Sequence, residues 1–199
     1  LLTEPRNLYF GEHFSKGQIS DRWFFHKEWE VIYGILHRNQ IRGEDKRFFY
    51  KDPSFKNALI RFEFKFDGAQ DIRLVTGSNG SYNTVIHIKK DHFFIQTAIY
   101  KRGPSSPMRH GKCAYSFEKG KWYVMTVEFY EDQVIAHLDH EHLAYGKHPM
   151  INQKKNYLAL QVGQAGASFD NIQVFGVAKN PQYQINKQLI DEQSNIFQY

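Results

Sequence analysis

The sequence predicts an all-β protein, a sandwich of two antiparallel sheets with a short helix near its C-terminal end. Short stretches of alternating apolar and polar residues recur from about residue 30 to 177, with turn residues between them and no ten-residue helical pattern. Phe and Tyr, which favour pleated and half-buried surfaces, supply 17 and 12 of the 199 residues. This distribution favours a sandwich or jelly roll over a fold of alternating strands and helices.

The clearest strand pattern covers residues 58–67. Its even positions from Ile60 to Phe66 are apolar, whereas its odd positions from Arg61 to Lys65 are charged. A period of two predicts a strand with one buried and one solvated face. Further strands are predicted at residues 71–76, 83–89, 92–99, 122–130, 133–138, 157–162 and 168–177.

Two other segments interrupt this pattern. Residues 101–111 contain Gly103, Pro104 and Pro107 and are predicted to form a loop. Asn180-Pro181 combines a helix cap with proline at the first helical position, which predicts the start of a helix. Apolar residues then recur at roughly helical spacing, at Ile185, Leu189 and Ile196. We therefore divide the chain into a jelly-roll sandwich, residues 1–178, and a helical tail packed on it, residues 179–199.

Composition limits the classes of partner. The net charge is +5, and the basic residues are dispersed rather than gathered in one stripe, so no nucleic-acid partner is predicted. Attraction for an acidic ligand such as an anionic polysaccharide stays open. Cys113 is the single cysteine, which excludes an intrachain disulfide. No apolar run approaches the ~20 residues that a membrane helix needs, so no membrane span is predicted.

Three stretches carry a family resemblance. They are Trp29 to Leu36, Gly120 to Asp139 with its hairpin, and Ala167 to Val174, which contains Phe-Asp-Asn-Ile. Together they resemble concanavalin-like jelly rolls of the 3-keto-disaccharide hydrolase type, formerly a domain of unknown function. The resemblance implies a secreted or periplasmic bacterial protein that handles sugars, as a hydrolase or as a binding module. The chain itself opens on Leu1-Leu2-Thr3, which is not a signal peptide.

Polar side chains from three successive strands supply the predicted ligand site. Arg73, His87 and Gln96 alternate with core positions and could lie side by side on the concave sheet. An arginine can neutralise a uronate carboxylate and a histidine can move a proton, which keeps a polysaccharide lyase open. Ordinary exposed polar faces would give the same pattern. Aromatic platforms for a sugar, or simply packed rings, are expected near strand ends at Phe49, Tyr50, Tyr82 and Tyr100.

A pair of catalytic carboxylates is not evident. Glycosidases need two, and the string Glu-x-Asp-x-x-Glu of laminarinase-type jelly rolls does not occur. Glu63 with Asp67 is the nearest substitute, and a solvated face explains it equally. The sequence therefore predicts a carbohydrate-active, glycoside-hydrolase-like domain that acts on or binds a glycan. A non-catalytic binding or adhesion module and a lyase for an anionic glycan are the alternatives.

Two groups of residues could ligate a metal. Glu12 and Asp170 lie near opposite ends of the sandwich sequence, ends that often pair in jelly rolls, and could hold a structural calcium ion. The densest cluster of ligand types is Asp139-His140-Glu141-His142, preceded by His137. If the strand continued, His137, Asp139 and Glu141 would share one face. The same cluster also fits the polar tip of a hairpin.

Overall fold

The computed structural model describes residues 1–25, 28–39, 47–78, 81–99, 107–139, 141–163 and 166–196. Its strands are β1 (Thr3–Glu12), β2 (Trp23–Phe24), β3 (Trp29–Ile32), β4 (Ile35–Arg38), β5 (Arg47–Tyr50), β6 (Ala58–Phe66), β7 (Asp71–Ser78), β8 (Ser81–Lys89), β9 (His92–Ile99), β10 (Met108–Ala114), β11 (Trp122–Tyr130), β12 (Gln133–His137), β13 (Leu143–Lys147), β14 (Tyr157–Gly163) and β15 (Ala167–Lys179). The helices are α1 (Tyr183–Ile196) and two 3-10 turns, Phe14–Lys16 and Pro149–Asn152.

The described strands form two antiparallel sheets. The first sheet has the order β13-β12-β11-β6-β15-β4-β3, with β1 paired to β15, and the second has the order β10-β9-β8-β7-β14-β5-β2. The predicted all-β sandwich of jelly-roll type with one C-terminal helix is confirmed. No described helix is long and apolar enough to cross a membrane.

A core rich in phenylalanine fills the space between the sheets. The apolar face predicted for β6 is confirmed, since Ile60, Phe62, Phe64 and Phe66 are all buried. Phenylalanines of β5, β9, β11 and β15 meet them in one cluster. Burial of this much aromatic surface is the main stabilising term of the sandwich.

The sequence analysis assigned no strand to the residues of β1 to β5 or of β13, and it predicted part of β10 as loop. β1 has few buried residues, so it carries no period-two signal. β10 occupies residues that were predicted as loop, and residues 101–106 lie outside the described part. Gly111 stands in β10 because a β-carbon there would come within 2.7 Å of the Tyr145 carbonyl oxygen on β13. Gly111, the last residue of the predicted loop, therefore allows β10 and β13 to approach closely.

Helix α1 packs on the first sheet, but not through the residues predicted. Ile190 is buried against Leu2, Ile135 and Leu143, whereas Ile185 and Leu189 are 62% and 53% exposed. The predicted apolar stripe was therefore wrong, because the docking position lies one residue beyond Leu189. The helix begins at Tyr183, two residues beyond the predicted start at Pro181. The Asn180 side-chain oxygen accepts a hydrogen bond from the Gln182 amide at 2.8 Å, within the turn that leads into the helix. The domain division at residue 178 stays a prediction.

Candidate functional site

The candidate site lies on the outer face of the second sheet, the face turned away from the core. Antiparallel register places side chains of neighbouring strands in rows on this face. One row contains Gln161, Arg73, His87 and Phe94; the next contains Ala159, Val75, Val85 and Gln96; a third contains Tyr157, Gly77 and Tyr82.

The structure brings the three predicted ligand residues together. Arg73 and His87 are register partners on β7 and β8. The His87 Nε2 atom lies 3.0 Å from Gln96 Oε1 on β9. All three side chains are half-buried, so they are neither scattered nor sequestered in the core. Their role in binding a ligand stays a prediction.

Asp71 completes this polar cluster, and the sequence analysis missed it. Its carboxylate accepts a hydrogen bond from Arg73 Nε, and it lies 3.6 Å from His87 Nδ1 and 3.8 Å from Lys89 Nζ. Burial opposes ionisation of Asp71, yet the contacts with His87, Arg73 and Lys89 hold its pKa below the ordinary value. The available signal was its position two residues before Arg73, since a strand places such residues on one face.

A row of aromatic rings occupies the neighbouring part of the face. Ring centroids are separated by 4.9 Å from Phe24 to Phe49, 5.9 Å from Phe49 to Tyr157 and 5.6 Å from Tyr157 to Tyr82, each pair being stacked. We call these four residues the aromatic row. The last two rings meet over Gly77, which has no side chain to separate them.

Small apolar residues lie beneath the aromatic row. Val75, Val85 and Ala159 are buried on this outer face, where they pack against Phe49, Tyr82 and Tyr157. A sheet face in contact with water would usually carry polar residues at such positions. The rings therefore close over a second, smaller apolar cluster and are held in place by it.

A second ring stack borders the polar cluster. Phe94 is stacked on His87 with centroids 4.5 Å apart and an interplanar angle of 2°. The guanidinium carbon of Arg109 on β10 lies 5.2 Å from the centroid of the same ring. The Phe94 ring therefore covers one face of the His87 imidazole, and the Asp71 carboxylate lies near its Nδ1 atom.

The predicted aromatic platforms divide between two environments. Phe49 and Tyr82 belong to the aromatic row, but Tyr50 is stacked on Phe10 at 3.8 Å and packs against the core between the sheets. Tyr100 lies outside the described residues. Phe24 and Tyr157 were missed, because nothing in their local sequence shows which face of the sheet they occupy.

The two carboxylates of the predicted calcium site are engaged elsewhere. Glu12 accepts a hydrogen bond from the Trp23 indole at 3.2 Å, and Asp170 accepts one from the Asn171 amide at 2.7 Å. β1 and β15 do pair here, with Glu12 opposite Ile172. Among the described residues there is no group of three His, Cys, Asp or Glu side chains that could hold a metal ion. The calcium site stays a prediction.

The histidine-rich segment forms a hairpin tip. β12 ends at His137, so the strand does not continue and His137, Asp139 and Glu141 do not share a strand face. His140 lies outside the described residues. Asp139 instead accepts hydrogen bonds from the amides of Glu141 and His142, while His137 turns towards Glu128 at 3.3 Å. These contacts explain the cluster as a turn.

Two other acidic groups and one open cleft lie away from the outer face of the second sheet. Glu63 bonds the Asn171 side chain and Asp67 bonds Ser168, both on the first sheet. An open cleft of about 670 Å³ lies at one end of the sandwich. It is lined by Lys56, Asn57, Glu131, Asp132, Lys147, Pro149 and Asn152.

Comparison with known proteins supports the fold class. No protein-family model and no curated protein matches the chain. Among solved structures, it is similar to the carbohydrate-binding module CBM66 from Bacillus subtilis, with a TM-score of 0.62, 15% identity, and coverage of 78% of this chain and 96% of that one.

Two further structures have related folds. The laminarinase from Rhodothermus marinus has a TM-score of 0.67 and 11% identity, with coverage of 90% of this chain and 100% of that chain. Chicken galectin 2 has a TM-score of 0.50 and 15% identity, with coverage of 66% and 98%. At these identities the likeness establishes the jelly-roll sandwich.

Proposed function

We propose that this protein binds a glycan, without cleaving it, on the outer face of the second sheet. The observation that carries this proposal is the aromatic row lying next to the cluster of Arg73, His87 and Gln96 on one face. Sugar sites combine an apolar platform with a few convergent polar groups. Both parts are present on this face. The apolar cluster beneath the aromatic row supports its rings, and the Phe94 ring stacks on His87 of the polar cluster.

The aromatic row suits the apolar face of a sugar ring. An aromatic ring carries negative charge density on its face, which attracts the C–H groups of a sugar laid against it. Val75, Val85 and Ala159 support the rings from below, so little side-chain freedom is lost when a ligand binds. Hydroxyl groups of the neighbouring sugar units can then reach the amide of Gln96 and the imidazole of His87.

Cleavage is less well supported than binding. A glycosidase needs two carboxyl groups across the scissile bond. In the described part of β7, β8, β9 and β14, Asp71 is the only carboxylate directed to the outer face. It is 5% exposed and already paired with Arg73, so it is poorly placed as an acid or a nucleophile.

The similar structures are consistent with a role in carbohydrate recognition. They include a carbohydrate-binding module, a laminarinase and a galectin. The finer relation to 3-keto-disaccharide hydrolases, a secreted location and a structural calcium ion are further proposals. The first is carried by the three motif stretches, the second follows from what the resemblance implies, and the third rests on Glu12 and Asp170.

A glycan array followed by calorimetry tests the proposal. Tyr157→Ala removes a ring from the centre of the aromatic row, and we expect it to weaken binding by at least tenfold, about 1.4 kcal/mol. Trp122→Ala is the matched control, because this ring is exposed on the first sheet. If the Trp122 variant loses binding and the Tyr157 variant retains it, the glycan binds the first sheet and the proposal is refuted.

Elimination is the second candidate, favoured by the adjacency of Arg73 and His87. In that reaction Arg73 would neutralise a uronate carboxylate while His87 removed the proton from C5. The C4–O glycosidic bond would break as the C4–C5 double bond forms, and water would protonate the departing oxygen. Incubation with polygalacturonate checks this, because elimination creates an unsaturated sugar that absorbs ultraviolet light. Appearance of that absorbance, and its loss in His87→Ala, would replace the binding proposal with a lyase.

A further inference from the structure

The outer face of the second sheet carries an excess of positive charge at one end. Four basic residues from the three strands β7, β8 and β10 form what we call the cationic patch: Arg73, Lys89, Arg109 and Lys112. Register places them on one face: Lys89 is opposite Asp71, Arg109 is opposite Gln96, and Lys112 is opposite Phe94.

Two described carboxylates, Asp71 and Asp91, lie near these four cations. Asp71 contacts Arg73 and Lys89 but neither residue of β10. Asp91, in the turn between β8 and β9, is paired with His92 at 2.6 Å and also attracts Lys112. Two carboxylates do not balance four cations. The patch therefore keeps a net positive charge at neutral pH, although the basic residues of the whole chain are dispersed in sequence.

The patch has geometry as well as charge. The Arg109 guanidinium lies over the Phe94 ring, which limits its motion and removes water from one of its faces. A guanidinium presents paired N–H donors that match the two oxygens of a carboxylate or sulfate group. Arg109 and Lys112 are exposed, so an incoming ligand can reach both.

Arg73 of the cationic patch and the two tyrosines of the aromatic row that meet at Gly77 lie in different rows of the same face. Arg73 and Gly77 are four residues apart on β7, which corresponds to about 13 Å at the rise of an antiparallel strand. A single sugar ring is too short to touch both places. A short oligosaccharide can place an acidic group at the patch and an apolar ring face on Tyr82 and Tyr157.

We infer that the glycan bound by this face is anionic, with a carboxylate or sulfate group held by the cationic patch. This inference rests on the proposed glycan-binding function and adds the class of ligand. The ligand class is therefore acidic polysaccharides, because a neutral glycan forms no ion pair with Arg109 or Lys112. The aromatic row distinguishes the ligand from an inorganic anion.

Two pairs of polysaccharides that differ mainly in charge test the inference. Polygalacturonate is compared with its methyl ester, and dextran sulfate with dextran, by calorimetry at low and high salt. We expect the anionic member of at least one pair to bind at least about tenfold more tightly, with an affinity that falls as salt screens the patch. Arg109→Gln combined with Lys112→Gln is expected to reduce that affinity by about tenfold.

Arg6→Gln combined with Lys121→Gln is the matched control. It removes the same charge from exposed positions on or beside the first sheet, and we expect it to retain the affinity. Equal binding of charged and neutral partners would overturn the inference and leave glycan binding standing. Duplex DNA binding as tightly as the acidic glycans would also overturn it, in favour of a general polyanion surface. Absence of binding to every glycan would refute the proposed function itself.

Discussion

The outer faces of the two sheets are built differently. On the first sheet, β6 presents Arg61, Glu63 and Lys65, which alternate with fully buried core residues. On the second sheet, β7 is buried on both faces, with Val75 and Gly77 on the side away from the core. An antiparallel sheet that simply faces water follows the first pattern. The second pattern indicates a surface shaped for contact.

A buried carboxylate on each outer face sharpens this comparison. Glu128 on the first sheet accepts hydrogen bonds from the amides of Leu2 and Thr3 and from the Thr3 hydroxyl. Asp71 on the second sheet contacts only side chains, those of Arg73, His87 and Lys89. Backbone partners make Glu128 a structural anchor for β1, whereas the partners of Asp71 belong to the candidate site.

The largest effect is expected at the helix that covers part of the first sheet. Ile190→Ala removes a fully buried side chain and should lower the free energy of unfolding by about 2–5 kcal/mol. Ile185→Ala, on the exposed side of α1, should change it by less than about 0.5 kcal/mol. Urea denaturation measures both. Glycan binding should be unchanged in either variant, and a loss in Ile190→Ala would contradict the separation of the two faces.

The next effect is expected where the two tyrosines meet. Gly77→Val inserts a side chain between Tyr82 and Tyr157, and we expect it to weaken glycan binding by about 2 kcal/mol. Calorimetry on the folded variant measures this. Gly11→Val, on β1 of the first sheet, is the control, since a β-carbon there comes no closer than 3.6 Å to a neighbour. Equal affinity of Gly77→Val and the unchanged protein would contradict the role of the aromatic row.

Glu128→Gln should lower stability at neutral pH by about 1–3 kcal/mol, because it weakens the acceptor that three donors share. Burial opposes ionisation of Glu128, but bonds with His137 and Thr3 hold its pKa below the ordinary 4.5. The unfolded state therefore binds the proton first, and stability is lost as pH falls through the folded-state pKa. Urea titrations at several acidic pH values should show a flatter decline in the variant. Glu63→Gln, half-exposed on the same sheet, should leave the decline unchanged.

The smallest effect is expected for Asp71→Asn, a loss of about 1 kcal/mol in unfolding free energy. The reason is that Arg73 and Lys89 are 31% and 39% exposed, so water replaces part of what the carboxylate supplied. The same denaturation assay compares it with Glu128→Gln. If Asp71→Asn costs as much as Glu128→Gln, the Asp71 cluster is structural and the comparison between the two faces fails.

Local sequence was most informative where one face of a strand is buried and the other is wet. The alternation in β6 predicted its core face correctly, and the turn residues placed β9 and β11 at their observed limits. It failed for β1, whose exposed residues show no alternation, and for β10, where Gly111 serves a close approach. In α1 it found the helix but missed the docking residue, Ile190.

The candidate site was only partly visible in the sequence. Arg73, His87 and Gln96 were found because period two and strand order place them on neighbouring strands of one face. Phe24 and Tyr157 could not be assigned, since β2 and β14 reach this face through pairing with β5 and β7. Asp71 could have been included from its spacing to Arg73.

The sequence by itself determined the class of the fold, because the alternation of apolar residues and the distribution of turns are local properties of the chain. Only the tertiary structure decided which rings share a surface, since Phe24 and Tyr82 are distant in sequence and meet through the order of strands in the sheet. It also gathered dispersed basic residues into the cationic patch. Long-range pairing sets both outcomes, and no local pattern encodes which strand becomes a neighbour.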